Sequence, residues 1–250
     1  MKIVHKPNLK QITFLDERFY FDNKTESYFP SATTVLDVYP KGFGFTQWLK
    51  DLGANSDEVV KRAQDQGTKI HNAIEQFLQG GDVTWTDGEH ENFTLDEWMM
   101  ILKFYDFYLI NKPETISVEE SLVDPELGFG GTLDYVCKIK GEVWYIDWKS
   151  GSAIYKTNKI QASAYQKLWN KQKEEKITRL GCMHLRAQTR GEDKTGKQIQ
   201  GEGWKLDEIT DPDHLYKLFE YSKAIWSEEN PNPKPKNLIY PDRIKKEVSK

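Results

Sequence analysis

Cysteine is scarce in this sequence, with only Cys137 and Cys182 among its 250 residues. Two cysteines are too few for a disulfide framework, a four-cysteine zinc site or an iron–sulfur cluster. We therefore expect no iron–sulfur cluster, and a metal site would take its ligands from histidine and carboxylate side chains.

Long apolar runs are also missing from the chain. No stretch approaches the roughly 20 residues that cross a bilayer, and the N-terminal segment MKIVHKPNLKQITF lacks the apolar core of a signal peptide. The sequence therefore predicts a soluble, cytoplasmic protein that has no membrane partner.

The net charge is small, at −4, but it is distributed unevenly along the chain. Residues 1–148 contain 14 Lys and Arg against 25 Asp and Glu, whereas residues 149–205 contain 13 against 5. Acids that bind cations beside a basic surface that binds phosphates would produce this asymmetry, but so would two solvated faces of opposite charge. Charge alone leaves both interpretations open.

Hydrophobic periodicity predicts a single α/β domain over residues 1–229, with helices flanking a central mixed β-sheet. Its N-terminal part, 1–112, contains a hairpin around Asp16-Glu17 and helices. We expect these to form a wall over the functional site of the core, which is 113–229. Residues 230–250 form a Pro- and Lys-rich linker and a basic tail. The predicted helices cover 31–38, 45–52, 57–78, 94–110, 157–173 and 211–227, and the predicted strands cover 115–123, 129–139, 142–149 and 177–187.

The most informative segment is GGTLDYVCKIKGEVWYIDWKSG, at 130–151, where two alternating runs meet at Lys140 and Gly141. If these two residues form a tight hairpin turn, positions whose numbers sum to 281 lie opposite each other. This register places Asp134 opposite Asp147.

One face of this hairpin is apolar, and because the register pairs Leu133 with Trp148 on it, we expect that face to be core. The opposite face carries both aspartates, whose Cβ atoms would lie roughly 4.5–5.5 Å apart. Two like charges at this distance repel unless a cation or a proton lies between them. Mg²⁺ suits such a site because it binds few carboxylates and keeps positions for water and phosphate oxygens. Lys149, on the same face, would be placed to orient or deprotonate a water molecule bound to the cation, or to stabilise charge on a bound phosphate.

An ordinary alternative explains the same residues. A hairpin with one solvated face would present Asp147 and Lys149 to water without any function. Gly130 and Gly131, where a ligand or a backbone segment can approach closely, favour a functional site instead. The register itself depends on the two-residue turn.

Four motifs occur in a fixed order along the chain: GTKIHNAIE at 67–75, GTLD at 131–134, a hydrophobic strand ending in DWKS at 147–150, and QASAY on a helix at 161–165. Together with Pro-Ser-x-Thr at 30–33, they resemble the PD-(D/E)XK nuclease superfamily. The resemblance is to its RecB-like exonuclease branch, which includes the mitochondrial genome maintenance exonuclease and phage exonucleases.

The resemblance implies that Mg²⁺ or Mn²⁺ is bound by His71, Asp134 and Asp147, with the backbone carbonyl of Trp148 as a further candidate ligand, and it leaves open whether one or two ions act. It implies three further catalytic residues: Lys149, Gln161 and Tyr165. The i, i+4 spacing of Gln161 and Tyr165 does place them on one helix face. Without the resemblance, His71 reads as an ordinary histidine of an amphipathic helix.

Two further acids are candidates for the site. Glu75 lies one turn beyond His71 on the same helix face, where it would add an acid or orient the imidazole. Glu120, in the strand VEESL, would approach the site, although an exposed strand glutamate is the simpler interpretation. The residues that would bind DNA phosphates are Lys156, Lys159, Arg186 and Arg190, each of which also reads singly as a surface residue.

The predicted function is metal-dependent hydrolysis of DNA phosphodiester bonds, and the resemblance alone implies exonuclease action on single-stranded ends. Two alternatives stay open: a sequence- or structure-specific endonuclease with the same core, and a catalytically silent nucleic-acid-binding module of the same fold. The expected setting is DNA repair or recombination in a bacterium or a phage-infected host, with replication or recombination proteins as partners.

Overall fold

The structure is a computed structural model that describes residues 2–6, 9–14 and 17–236. Asp16 of the predicted hairpin and the predicted tail from residue 237 onwards lie outside these ranges. No helix within them is both long and apolar enough to span a membrane.

The first part of the chain forms a four-stranded antiparallel sheet whose strands follow chain order. They are β1 (Lys2–His5), β2 (Leu9–Phe14), β3 (Glu17–Asp22) and β4 (Ser27–Pro30). The pairing of β2 with β3 confirms the predicted hairpin. β1 adds a strand that the sequence pattern does not predict.

Four helices follow this sheet, and side-chain caps begin two of them. They are α1 (Ala32–Leu36), α2 (Phe43–Leu52), α3 (Ser56–Leu78) and α4 (Leu95–Asn111). The Ser31 hydroxyl accepts a hydrogen bond from the Thr34 N–H at 3.0 Å, as an N-cap does. Thr94 and Glu97 form a reciprocal capping box at the start of α4.

The central sheet is mixed and has five strands in the order β11-β8-β7-β6-β5. The elements from this point are β5 (Glu114–Asp124), β6 (Phe129–Ile139), β7 (Glu142–Lys149), α5 (Lys156–Gln172), β8 (Arg179–His184), β9 (Arg190–Glu192), β10 (Gln198–Gln200), β11 (Lys205–Glu208) and α6 (Pro212–Glu229). β7 and β8 run parallel with α5 as their crossover, and the other neighbours are antiparallel. The predicted α/β class, a central mixed sheet flanked by helices, is confirmed.

Both faces of this sheet are buried, so the alternative of a solvated hairpin face is wrong. On one face Val136 and Tyr145 pack with residues of α5 and α6. On the other face Tyr135, Ile146 and Trp148 pack with residues of α3 and α4. The physical reason is the parallel pair, because its crossover helix covers the face that a simple hairpin would leave to water.

The β6–β7 hairpin has the predicted turn and the predicted register near its tip. Lys140 and Gly141 have φ values of 51° and 84°, as the two central residues of a type I′ turn require. Five cross-strand pairs follow, and the last of them joins Tyr135 to Ile146.

The ladder ends one step before Asp134 and Asp147, so the two aspartates are not a regular cross-strand pair. From there β7 continues along β8, where Asp147 lies opposite Cys182. The expected pairing of Leu133 with Trp148 is wrong, because the two side chains belong to the clusters on opposite faces of the sheet. The sheet is therefore irregular at the step where the acids occur.

Gly130 and Gly131 are packed against two aromatic rings. A Cβ atom at Gly130 would lie 2.6 Å from the Tyr20 ring, and one at Gly131 would lie 2.2 Å from the Tyr165 ring. Both distances are far below van der Waals contact. The two glycines thus let Tyr20 of the N-terminal sheet and Tyr165 of α5 lie on β6 immediately before Asp134.

Gly131→Ala should destabilise the protein, because the added methyl group overlaps the Tyr165 ring. Overpacking of this kind costs about 1–3 kcal/mol. Gly44→Ala is the matched control, since a Cβ atom there meets nothing within 4 Å and alanine favours a helix. Urea unfolding compares the two variants, and a Gly131→Ala protein as stable as wild type would contradict this packing.

Candidate active site

Three side chains from three elements meet at the irregular step of the sheet. They are His71 of α3, Glu119 of β5 and Asp134 of β6, and their ligand atoms all lie within 4.8 Å of one another. His71 Nδ1 is 3.6 Å from Glu119 Oε1 and 3.7 Å from Asp134 Oδ2. This His–Glu–Asp cluster unites two of the predicted metal ligands and adds Glu119, which the sequence patterns do not identify.

The backbone of β5 is irregular where it contributes to the cluster. Glu119 has a φ of 48°, in the left-handed region that residues other than glycine rarely adopt. The β5–β6 pairs on either side of Glu119 follow one register, and in that register Glu119 lies opposite Asp134. The acid that faces Asp134 across the strands is therefore Glu119, whereas the sequence register indicated Asp147.

Burial makes the negative charge of this cluster costly. Burial, together with the neighbouring Asp147 and Glu119, raises the pKa of Asp134 to about 7, although His71 opposes the shift. Burial alone would lower the pKa of His71, but the carboxylates of Asp134 and Glu119 raise it above its ordinary value. Burial is the main cause of the Asp134 shift, and neighbouring carboxylates contribute to both shifts, so a bound cation would favour the charged carboxylates.

The main chain also fixes Asp134. The N–H of Trp148 donates to Asp134 Oδ2 at 3.0 Å, which connects β6 to β7 just beyond the end of their ladder. The Trp148 ring is buried and stacks on Tyr135 with ring centroids 5.3 Å apart. Trp148 thus contacts the cluster through its N–H, while the role predicted for its carbonyl stays a prediction.

Asp147 belongs to a second group, with Tyr145 and Lys149, which we call the Tyr–Asp–Lys group. Asp147 is fully buried, its Oδ2 is 2.8 Å from Lys149 Nζ, and its Oδ1 accepts a hydrogen bond from the Tyr145 hydroxyl at 3.1 Å. Burial would lower the pKa of Lys149, but the carboxylates of Asp147 and Asp134 raise it. The Lys149 side chain is 21% exposed, so part of it reaches solvent beside the buried Asp147.

Gln161 and Tyr165 lie one turn apart on α5, as their spacing predicts. Gln161 Nε2 donates to the Tyr165 hydroxyl at 3.2 Å. The buried Tyr165 ring packs edge-on against Tyr145, with centroids 5.9 Å apart. The pair therefore connects α5 to the Tyr–Asp–Lys group.

The two further candidate acids, Glu75 and Glu120, are not members of the His–Glu–Asp cluster. Glu75 accepts a hydrogen bond from the Gln79 amide at 2.9 Å, one turn further along α3. Glu120 forms an ion pair with Lys173 and accepts a hydrogen bond from the Ser117 hydroxyl at 2.6 Å. The idea that Glu120 approaches the cluster is therefore wrong, because β5 directs it to other partners.

The predicted phosphate-binding residues fall into two pairs. Lys156 and Lys159 lie in the first turn of α5, after the loop that follows β7. Arg186 and Arg190 form ion pairs with Asp96 and Asp106 of α4. Since these arginines already have carboxylate partners, the two lysines are the better candidates for the predicted phosphate contacts.

Two residues of the site, Glu119 and Tyr145, escape the sequence patterns. Adjacent residues of a strand point to opposite faces, so only one of Glu119 and Glu120 in VEESL can face the site. The sequence alone does not show which one does. Tyr145 resembles one more core aromatic. Its position two residues before Asp147, on the same face, is the signal that could have identified it.

A mixed sheet flanked by helices, with buried acids and a lysine on its central strands, defines the restriction-endonuclease-like fold. The sequence profile of the PD-(D/E)XK nuclease superfamily matches residues 46–233. Because the match covers well over half of the chain, the protein belongs to this superfamily.

A crystal structure from Eubacterium rectale, described as a "Putative exonuclease", is similar to this chain at 11% identity and a TM-score of 0.41. The similarity covers 74% of this chain and 77% of that chain, and it is too weak to support an argument about function. No curated protein matches the sequence.

The His–Glu–Asp cluster fits a divalent cation. One imidazole nitrogen and two carboxylates are ligands that Mn²⁺ accepts, and carboxylates are the ligands that Mg²⁺ prefers. So few protein ligands leave coordination positions for water and for a phosphate oxygen. Burial raises the pKa of Asp134, and a bound cation would favour its charged form.

Glu119→Gln should weaken Mn²⁺ binding, because it removes one of the carboxylate charges of the cluster. Loss of an outer-shell partner already costs 10–100-fold in metal affinity, so we expect a decrease of roughly tenfold or more. Glu120→Gln is the matched control, one residue along the same strand, and should leave the affinity unchanged. Calorimetric titration with Mn²⁺ measures both. The assignment fails if Glu119→Gln binds Mn²⁺ like the wild type.

Proposed function

We propose that this protein is a divalent-metal-dependent deoxyribonuclease that hydrolyses DNA phosphodiester bonds. The observation that carries the proposal is the position of the Tyr–Asp–Lys group beside the His–Glu–Asp cluster, where β6 and β7 separate. The His–Glu–Asp cluster concentrates negative charge that a cation would bind. The Tyr–Asp–Lys group places the charged amine of Lys149 next to that cluster. Membership of the nuclease superfamily supports the same reaction.

The metal ligands that we propose are His71, Glu119 and Asp134, with Asp147 and the carbonyl of Trp148 as further candidates. Mg²⁺ or Mn²⁺, when bound, supplies Lewis-acid activation of water and of the phosphate. The chain's own contribution is to fix the ligands on three different elements. Asp134 is held by the Trp148 N–H, and the two carboxylates of the cluster are held by the adjacent strands β5 and β6.

Lys149 is the residue that we assign to the reacting phosphate. Asp147 holds its amine, and the Tyr145 hydroxyl holds Asp147 from the other side. A positioned ammonium donates hydrogen bonds and offsets negative charge as it develops on the phosphate. Because the ion pair with Asp147 favours the charged amine, Lys149 orients water and stabilises charge rather than removing a proton from water.

The substrate that we propose is DNA with a free single-stranded end. The motifs shared with the RecB-like exonuclease branch favour action at ends, and with it a role in repair or recombination in the cytoplasm of a bacterium or a phage-infected cell. Lys156 and Lys159, at the start of α5, add positive charge that would attract the phosphate backbone.

Lys149→Ala should reduce cleavage of end-labelled linear DNA in Mg²⁺ or Mn²⁺ by about 10²-fold or more, because one preorganised donor to the transition state is lost. Mn²⁺ binding should persist, since Lys149 is not in the His–Glu–Asp cluster. Lys138→Ala is the matched control: Lys138 lies nearer the tip of the same hairpin and pairs with Glu175 at 2.7 Å.

Equal cleavage by the wild type and Lys149→Ala, or no cleavage by either, would sink the proposed mechanism. Circular single-stranded DNA then separates the modes of action. An exonuclease leaves closed circles intact, whereas an endonuclease cuts them. Binding of DNA without cleavage in either metal would identify a silent nucleic-acid-binding module.

A further inference from the structure

Arg18 of β3 differs from the other arginines in the described part of the chain. Arg62, Arg179, Arg186 and Arg190 each form an ion pair with a carboxylate. Arg18 has no carboxylate within 4.0 Å among the described residues, although its side chain is partly buried. A guanidinium that is partly shielded from water is stabilised by an anion, and no described carboxylate supplies one at ion-pair distance.

The main chain of Arg18 is anchored to the start of α1. Its N–H donates to Thr34 Oγ1 at 3.0 Å, and its carbonyl accepts hydrogen bonds from the Ser31 N–H at 2.8 Å and from Thr34 Oγ1 at 3.2 Å. These contacts satisfy the backbone on both sides of the residue. The side chain therefore extends from a fixed point.

The side chain of Arg18 lies beside the proposed active site. It shares one face of β3 with Tyr20, because side chains alternate along a strand, and it lies within electrostatic range of Tyr165 and Glu119. Glu119 is a member of the His–Glu–Asp cluster, and the Tyr165 ring lies against Gly131 of β6. Arg18 is thus a neighbour of the cluster without belonging to it.

A network of hydroxyl groups holds Tyr20, which shares a face of β3 with Arg18. The Tyr20 hydroxyl is 2.9 Å from Thr132 Oγ1, which is itself 2.8 Å from Ser121 Oγ. The Gln11 amide donates to the same Tyr20 hydroxyl at 3.1 Å. Because Tyr20 is fully buried with its ring on Gly130, this side of the guanidinium is preorganised.

We propose that Arg18 binds a DNA phosphate adjacent to the scissile one, an inference that rests on the proposed nuclease function. The planar fork of N–H donors in a guanidinium matches the oxygens of a phosphate, so it can form two parallel hydrogen bonds where a lysine ammonium offers only a point charge. A phosphate also supplies the anion that no described carboxylate places within 4.0 Å of Arg18. The DNA strand then runs from the N-terminal sheet to the His–Glu–Asp cluster.

The competing explanation is that Arg18 only balances the charge of Glu119. Substitution of Arg18 would then change the affinity for Mn²⁺, but binding would depend on no particular phosphate of the DNA. The two explanations therefore differ in a measurable quantity.

A set of fluorescein-labelled single-stranded oligonucleotides, each with one neutral methylphosphonate linkage, tests the proposal. Anisotropy titrations in EDTA measure binding without cleavage. In the wild type, one linkage should be sensitive, and its neutralisation should weaken binding roughly tenfold, as expected for loss of a hydrogen bond between charged groups. Arg18→Met should bind unmodified DNA weaker by a similar factor and should show no sensitivity at that linkage.

Arg62→Met is the matched control, because Arg62 is an exposed residue of α3 that pairs with Glu58, and it should keep the wild-type profile. Arg18→Lys, which keeps the charge but not the fork, should recover part of the affinity, and thermal unfolding verifies that each variant is folded. Oligonucleotides with and without terminal phosphates show whether Arg18 binds an internal phosphate or the phosphate of a strand end. Arg18-dependent binding of either phosphate supports the proposed site.

An unchanged linkage profile in folded Arg18→Met would overturn the proposal, and an accompanying change in Mn²⁺ affinity would establish charge balance instead. Failure of the nuclease function is seen separately. If the wild type shows the sensitive linkage but cleaves no DNA in Mg²⁺ or Mn²⁺, the phosphate site stands and the proposed catalysis does not.

Discussion

The buried carboxylates at the centre of the sheet are the constraint on which the rest of this structure depends. Asp147 is fully buried and Asp134 is 8% exposed, and Glu119 lies beside them. Carboxylates removed from water require cations or hydrogen-bond donors, since the energetic cost of leaving them uncompensated is several kcal/mol, on the order of 3–5 for a broken buried pair. His71 and Lys149 come from different elements to meet this requirement, and a divalent cation would complete it.

The irregular backbone of the sheet follows from the same constraint. A regular ladder would continue past Tyr135 and Ile146 and would use the main chain of the next residues for strand pairing. Instead the ladder ends, and the Trp148 N–H donates to Asp134. The positive φ of Glu119 is a second irregularity, and it occurs at the residue whose carboxylate joins Asp134 in the cluster. The irregularity supplies both a donor and a ligand.

Local rules predict much of this fold and part of its site. The Lys140-Gly141 turn and the alternation on either side determine the hairpin register near its tip, and the motif order leads to the prediction that Asp134 and Lys149 belong to one site. Contacts between distant segments are not encoded in such patterns. Arg18 comes from the N-terminal sheet, and the choice of Glu119 over Glu120 depends on a backbone irregularity that strand periodicity does not contain. The burial of the second hairpin face likewise depends on α5, which follows the hairpin in the chain.

The cluster also depends on how α3 is packed, because only His71 reaches it from a helix. Ile70 and Ile74, on either side of His71, are fully buried against the sheet, whereas much of the preceding half of α3 is exposed. Apolar packing therefore sets the position of one ligand, and strand pairing sets the positions of the other two. A cation that binds all three connects the helix to the sheet, so its binding free energy adds to the stability of that contact. A change that loosens the packing of α3 would therefore also weaken metal binding through His71.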